Sequence, residues 1–349
     1  MCWASSNNPR LVTLVAGCVV AGCLVGCATT RGVLFEPIDP PKVWPAPPDT
    51  PRIKLIGALS SSEDLKASKS GMESFKTVLR GPRPPIKFSA PQALAVHADN
   101  TIAVADGAGA AVHIIDLNER THARVIGWDD QQFAVPIGAV WVGDRLFVTD
   151  AQRHEVIELD VDGRFRGRFG SGVLVRPVGI AFSKVREKLY VVDGGSHCLK
   201  VFDLAGNVVR TIGRQGINPG EFNFPSHICC SEDRLIVADS GNFRVQWLNL
   251  DGEFIRAFGR KGDGAGDLSL PKGVALDSEG HLYVVDAHFE NVQIFNSDGQ
   301  VLMAFGEEGR DLGQFWLPAG LAIDGQDRIW IADPGNGRIQ MFEYMRTAL

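Results

Sequence analysis

The chain has 349 residues, 45% of them apolar and 22% charged, which is an ordinary globular composition and excludes a disordered chain as a whole. Its 35 basic and 41 acidic residues leave a formal net charge of −6, so no global basic field exists to recruit nucleic acid. That length accommodates one large domain or two of medium size.

At the N-terminus, Arg10 is followed by an uncharged run from Leu11 to Gly26 that ends at Cys27. Sixteen residues are short for a membrane span and suit the apolar core of a signal peptide. The residues Leu24-Val25-Gly26-Cys27 resemble the bacterial lipobox, in which the cysteine becomes the lipidated first residue of the mature protein. Val15-Ala16-Gly17-Cys18 and Val20-Ala21-Gly22-Cys23 match less well, because Cys27 leaves the longest apolar run and is followed at once by polar sequence. The alternative is an uncleaved apolar anchor. Both readings put the remainder outside the cytoplasm and beside a membrane, and the lipobox reading predicts an exported, membrane-anchored lipoprotein on the periplasmic or cell-surface side. Removal of residues 1–26 takes away one basic residue, Arg10, and no acidic one, leaving 34 basic against 41 acidic residues.

Of seven cysteines, four lie from Cys27 onward: Cys27, Cys198, Cys229 and Cys230. The last two are adjacent in an apolar stretch and no evenly spaced framework exists, so the three downstream cysteines read as mostly buried thiols. No CxxC or CxxCH occurs, and neither a zinc ribbon nor a covalent haem is indicated. Residues 27–50 carry Pro37, Pro40, Pro41, Pro45, Pro47 and Pro48, and read as a semi-rigid tether.

From residue 51 onward an internal repeat governs the sequence. Each unit opens on Pro-x-Gly or a variant and continues as an apolar strand, a turn, and a strand ending in Asp. An alternating strand, an Asp-Gly-like turn and a strand ending Phe-Gly follow. The opening prolines are Pro91, Pro136, Pro177, Pro225, Pro271 and Pro318, spaced 45, 41, 48, 46 and 47 residues apart. The strand-ending aspartates Asp106, Asp150, Asp193, Asp239, Asp286 and Asp333 keep the same phase, at spacings of 44, 43, 46, 47 and 47. Four short antiparallel strands per unit of this length predict propeller blades. The sixth unit lacks its fourth strand. Ile53-Lys54-Leu55-Ile56-Gly57 matches Ile255–Gly259 of the fourth unit position for position, so the chain's start is expected to supply that strand and close the ring.

Segments such as Leu282-Tyr-Val-Val-Asp286 and Asp239-Ser-Gly-Asn242-Phe-Arg244-Val-Gln resemble NHL repeats, over residues 51–343. The resemblance implies an all-β fold: a six-bladed β-propeller of four-stranded antiparallel blades over residues 51–349. Blade one departs most, with Ala108, Gly109 and Ala110 where later blades carry polar residues. One connection is abnormal, running 34 residues from Gly57 to Pro91. There Ser60-Ser-Ser-Glu63 reads as a capping box, and Leu65, Met72, Phe75 and Leu79 fall at helical spacing, predicting an inserted helix over 60–80.

Alternation of strand direction puts the ends of the second strands and the starts of the first on one face, here termed the loop face. The six aspartates recur in every blade, so they are expected to serve the blade by hydrogen-bonding turn amides. Asn242 with Arg244, and Asn336 with Arg338, recur at one phase and are expected to brace that turn, with the two arginines kept as candidates for ligand contact. Residues that break the repeat are the better candidates. His227 stands at the channel mouth where Gln92, Gly138, Gly179, Gly273 and Gly320 stand elsewhere, and His154, His197 and His288 lie in the loops after the aspartates. The glycine-rich stretch from Gly259 to Gly266 has no following helix and reads as an interblade turn, not a nucleotide loop.

Two functions follow. The favoured one is an envelope-anchored binding or scaffold protein that takes a partner protein or small ligand on its loop face, without nucleic acid. The alternative is a metal-dependent propeller enzyme, of lyase or lactonase type, with a divalent metal in the channel. The resemblance to the peptidyl-hydroxyglycine lyase family implies zinc histidines at the first-strand starts of several blades, and only His227 occupies such a region.

Overall fold

In the computed structural model, which describes residues 33–66 and 84–346, the chain from Val33 forms one compact unit. Blade four shows the repeating unit, with strands His227–Cys230, Arg234–Asp239, Arg244–Asn249 and Phe254–Phe258 in sheet order. The strands form because β-branched and aromatic residues alternate between turns whose glycines take positive φ, such as Gly163, Gly252 and Gly299. Blades one, two, three and five repeat the arrangement, and the six first strands pack side by side into a closed ring.

The blades have no common core. Among the described residues the buried apolar side chains fall into six clusters, one in each seam between neighbouring blades. Each sheet is therefore covered on both faces by its neighbours, and the fold requires a closed ring. In the three seams around blades four to six, Phe222, Leu268 and Phe315 project from interblade loops of one shape into the gap and are fully buried.

Closure comes from the chain's start: Ile53–Leu59 pairs antiparallel with Arg338–Tyr344 as the fourth strand of the last blade. The register differs from the sequence expectation by three residues. Leu59, not Ile56, stands opposite Ile339, where Phe258 stands opposite Val245 in blade four. Gly57 is a glycine for another reason: a Cβ there would lie 2.3 Å from the Phe35 ring, which packs over it.

The described part of the proline-rich segment is not a free tether. Val43–Trp44 adds a fifth strand to the last blade, Trp44 packs against Phe305 and Phe342, and Lys42 Nζ donates to the Leu312 carbonyl at 2.6 Å. The apolar residues Leu34 and Phe35 before the prolines, and Ile38 and Trp44 between them, bind this segment to the propeller. Cys27 and the signal-peptide region lie outside the described residues. So does most of the helix expected over 60–80. Residues 60–66 form turns in which the Asp64 carboxylate, not Glu63, accepts the Ser60 and Ser61 amides at 2.7 and 2.8 Å. Leu65 is buried in the seam between blades six and one. Cys198, Cys229 and Cys230 are free thiols, and burial raises the pKa of each.

Truncation to Pro91 removes the closing strand and its cover and bares the long edge of Arg338–Tyr344. The truncated chain is expected to lose its cooperative melt or to oligomerise, as read by circular dichroism and light scattering. A monomer that melts cooperatively would refute closure. Trp44→Ala in the intact chain should cost about 2 kcal/mol in urea unfolding.

Candidate functional site

The loop face is organised by the six aspartates, all fully buried. Each carboxylate accepts amides of the residues leading into its blade's first strand. Asp106 takes Ser89 and Ala90, Asp150 takes Ala134 and Val135, Asp193 takes Val175 and Arg176, and Asp286 takes Ser269 and Leu270. Asp239 takes Asn223 and Asp333 takes Trp316. Several also accept amides of their own following turn, such as Gly109, Arg153 and Phe289. In blade four, Arg244 donates to Asp239 and to the carbonyls of Ile217, Asn218 and Glu221. In blade six, Arg338 treats Asp333, Arg310, Asp311 and Gln314 identically. Both guanidinium groups are thus occupied in holding interblade loops.

The residue before each third strand takes a positive φ: Ala110, His154, His197, Phe243, Glu290 and Gly337. Three of them reach the next blade. His154 Nδ1 donates to the Val175 carbonyl at 2.5 Å, His197 Nδ1 accepts the Phe224 amide at 3.0 Å, and Glu290 accepts the Leu317 amide at 3.1 Å. His154 and His197 therefore act as ties between blades. His288 is exposed beside Phe289, and the three histidines do not converge. Among the described residues no group of three or more His, Cys, Asp or Glu side chains is placed to hold a metal ion.

His227 opens the inner strand of blade four and is partly buried. Its position in the other blades is a glycine that touches the inner strand of the next blade: a Cβ at Gly179 would lie 2.8 Å from the His227 Cα, and one at Gly320 would lie 2.5 Å from the Ala93 Cα. Blade one supplies Ala93 at this phase, opposite Ala105 as His227 is opposite Ala238, so Gln92 belongs one residue earlier. By the same geometry the imidazole is directed at the inner strand of blade five, with both ring nitrogens buried and without a hydrogen-bond partner. Burial, and then the Lys272 charge, hold its pKa down to about 3.

The loop face does carry a cavity at the ring's inner edge, spanning blades three, four and five, of about 380 Å³. Arg176 and Lys272 provide its charge, Phe224, Phe243 and Leu270 its apolar wall, and Ser226 and Ser240 its hydroxyls. Ser240 lies 2.6 Å from the Pro271 carbonyl and 2.7 Å from the Ser226 hydroxyl. Burial, and then the Arg176 guanidinium, lower the Lys272 pKa. Sequence reasoning missed both cations, although comparison of blades reveals them. Arg176 precedes its proline where Ala90, Val135, Phe224, Leu270 and Leu317 precede theirs, and Lys272 follows where Gln92, Ile137, Val178, Ser226 and Ala319 follow.

A second unread feature lies in blade one. His113 takes the phase of Gln246 and Gln340, with Nε2 3.3 Å from Asp106 and Nδ1 2.8 Å from His122 Nε2. Burial, and then His113, hold the His122 pKa down to about 4.

Six four-stranded blades around a closed inner ring define the class as a β-propeller. The NHL repeat pattern matches residues 315–342, which span most of blade six, and the chain is a propeller of the NHL-repeat type. No curated protein matches it in sequence. Among solved structures it is similar to virginiamycin B lyase from Staphylococcus aureus, at 14% identity and a TM-score of 0.55, over 74% of this chain and 96% of that one. A gluconolactonase from Xanthomonas campestris is similar at 18% identity and a TM-score of 0.57, over 74% and 87%. An auxiliary nutrient binding protein from Bacteroides thetaiotaomicron is similar at 14% identity and 0.55, over 74% and 70%. At such identities the likeness is one of fold.

The buried histidine has a consequence for stability. A free imidazole titrates near 6.5, so unfolding takes up a proton at His227 once the pH falls below that value. Its contribution is intact above about 6.5 and is lost between there and about 3, amounting to about 3 kcal/mol by pH 4. His227→Gly, which restores the glycine of the other blades, should remove that share of acid sensitivity in urea unfolding from pH 7 to 4. A stability difference between variant and parent that stays flat over this range would refute the assignment.

Proposed function

We propose that this chain is a binding propeller of the cell envelope, held to a membrane by lipid on Cys27, that takes a ligand or partner on its loop face. The observation that carries the reading is the strained, exposed apolar pair Phe224 and Leu317. They sit at φ 45° and 52°, where bulky side chains are costly, and remain 56% and 54% exposed. The Phe224 ring rests on His197, with 4.3 Å between ring centroids, yet Phe224 and Leu317 both stay more than half exposed, so the strain is best explained by contact with something else. The amide ties from His197 and Glu290 hold both residues in that conformation from the preceding blade. Lys272 makes no hydrogen bond with Ser226 or Ser240, so the nucleophile–base contact of an acyl-transfer site is not formed among them.

A photo-crosslinking residue at position 224 or 317 is expected to give discrete adducts in intact cells, and one at 251 or 298 in the opposite hairpin turns to give none. The reverse pattern would mean that the binding face is the other one. For the anchor, mass spectrometry should find an acylated peptide beginning at Cys27, lost in Cys27→Ser. Lipid on Cys23 would refute the site but not the anchoring.

A further inference from the structure

We propose that the cavity of blades three, four and five binds a small organic anion, a carboxylate carried on an apolar group, with Arg176 and Lys272 meeting the carboxylate and Phe224 and Phe243 flanking the apolar part. This deepens the loop-face reading and rests on it. The two cations come from different blades and converge on one cavity of about 380 Å³, enough for an aryl or short acyl acid. Their side chains make no ion pair or hydrogen bond among the described residues.

Two like charges brought together without a counter-ion in a half-enclosed site are mutually destabilising. The aspartates of these three blades form no ion pair with either cation, their carboxylates being turned to other partners. Asp193 and Asp286 are fully buried and already engaged by the amides of Val175, Arg176, Ser269 and Leu270, and Asp239 by Asn223, Asn242, Arg244 and Gln246. An incoming anion supplies the missing charge, and a carboxylate suits the fork of a guanidinium. Ser240 already serves the Pro271 carbonyl at 2.6 Å, while the Ser226 contact to that carbonyl is longer at 3.3 Å, so the Ser226 hydroxyl is the one that can turn to a ligand oxygen. The aromatic wall excludes a purely ionic guest as the best fit: Phe224 is held at positive φ and stays 56% exposed beside these charges.

Isothermal titration of the full-length protein with phenylacetate, phenylacetamide and inorganic phosphate tests this. Phenylacetate should bind, and phenylacetamide, of the same shape without the charge, should bind at least about tenfold more weakly. Arg176→Gln and Lys272→Met should each weaken phenylacetate by a similar factor with an unchanged melting temperature. Phe224→Ala should weaken phenylacetate and leave phosphate unaltered. Equal binding of acid and amide, unchanged binding in either charge variant, or no binding of phenylacetate at about millimolar concentration would overturn the assignment. Phosphate bound as tightly as phenylacetate would overturn its apolar half. Adducts at position 224 together with equal binding of acid and amide would leave the loop-face reading standing and remove the anion. Loss of those adducts would remove both.

Discussion

A carboxylate buried at the end of each second strand is the interaction on which the loop face depends. Taking an ionised carboxylate out of water is costly unless hydrogen bonds replace the lost solvent. Here the replacements are backbone amides, which come from the strand start and the following turn at once. For Asp106, burial alone would raise the pKa, but the bonds from His113 and from the amides of Ser89, Ala90 and Gly109 outweigh it and leave it lowered. Where the turn joins in, one side chain thus fixes two loops against each other. Blades four and six add an arginine that extends the same carboxylate's hold to the interblade loop.

Because those bonds use backbone donors, they leave the flanking side chains unconstrained. The residues just before and just after each opening proline vary freely while the main chain stays in register, and charge and aromatic surface are placed there. The position two after the proline has no such freedom. It abuts the neighbouring inner strand, so it is glycine in four blades, alanine in one, and in blade four a partly buried histidine. Departures from the repeat therefore differ in meaning with phase: at one position they create surface, at the next they fill a gap between blades.

That distinction separates what the amino-acid sequence disclosed from what it hid. Prolines and aspartates in phase disclosed six blades and closure, since turn chemistry and strand endings are local properties. The register of the closing strand was misread because Gly57 imitates the glycine after Phe258, while its true neighbour, Phe35, lies 22 residues earlier in sequence. The proline-rich segment was read from its prolines, and the packing of Trp44 on Phe305 and Phe342 depends on residues about 260 to 300 positions away, which no local pattern reveals. His227 drew attention for its chemistry, but its phase is the one that faces the inner strand of the next blade. Arg176 and Lys272 were passed over because each looks ordinary until six blades are laid over one another and the only charge at its phase stands out.

The charge of the whole chain bears on how such a cavity works. With a formal net charge of −6, the protein repels anions at long range, so two cations in this cavity do not form a wide attracting field. At physiological ionic strength the field of surface charges decays over about 8 Å, which confines the attraction of Arg176 and Lys272 to the cavity itself. Selection is then made by contact, through the fork of a guanidinium, an ammonium and two aromatic walls, and not by steering from a distance. A site of this design discriminates by shape as well as charge, because an anion too large for the cavity meets the net negative charge around it without reaching the pair.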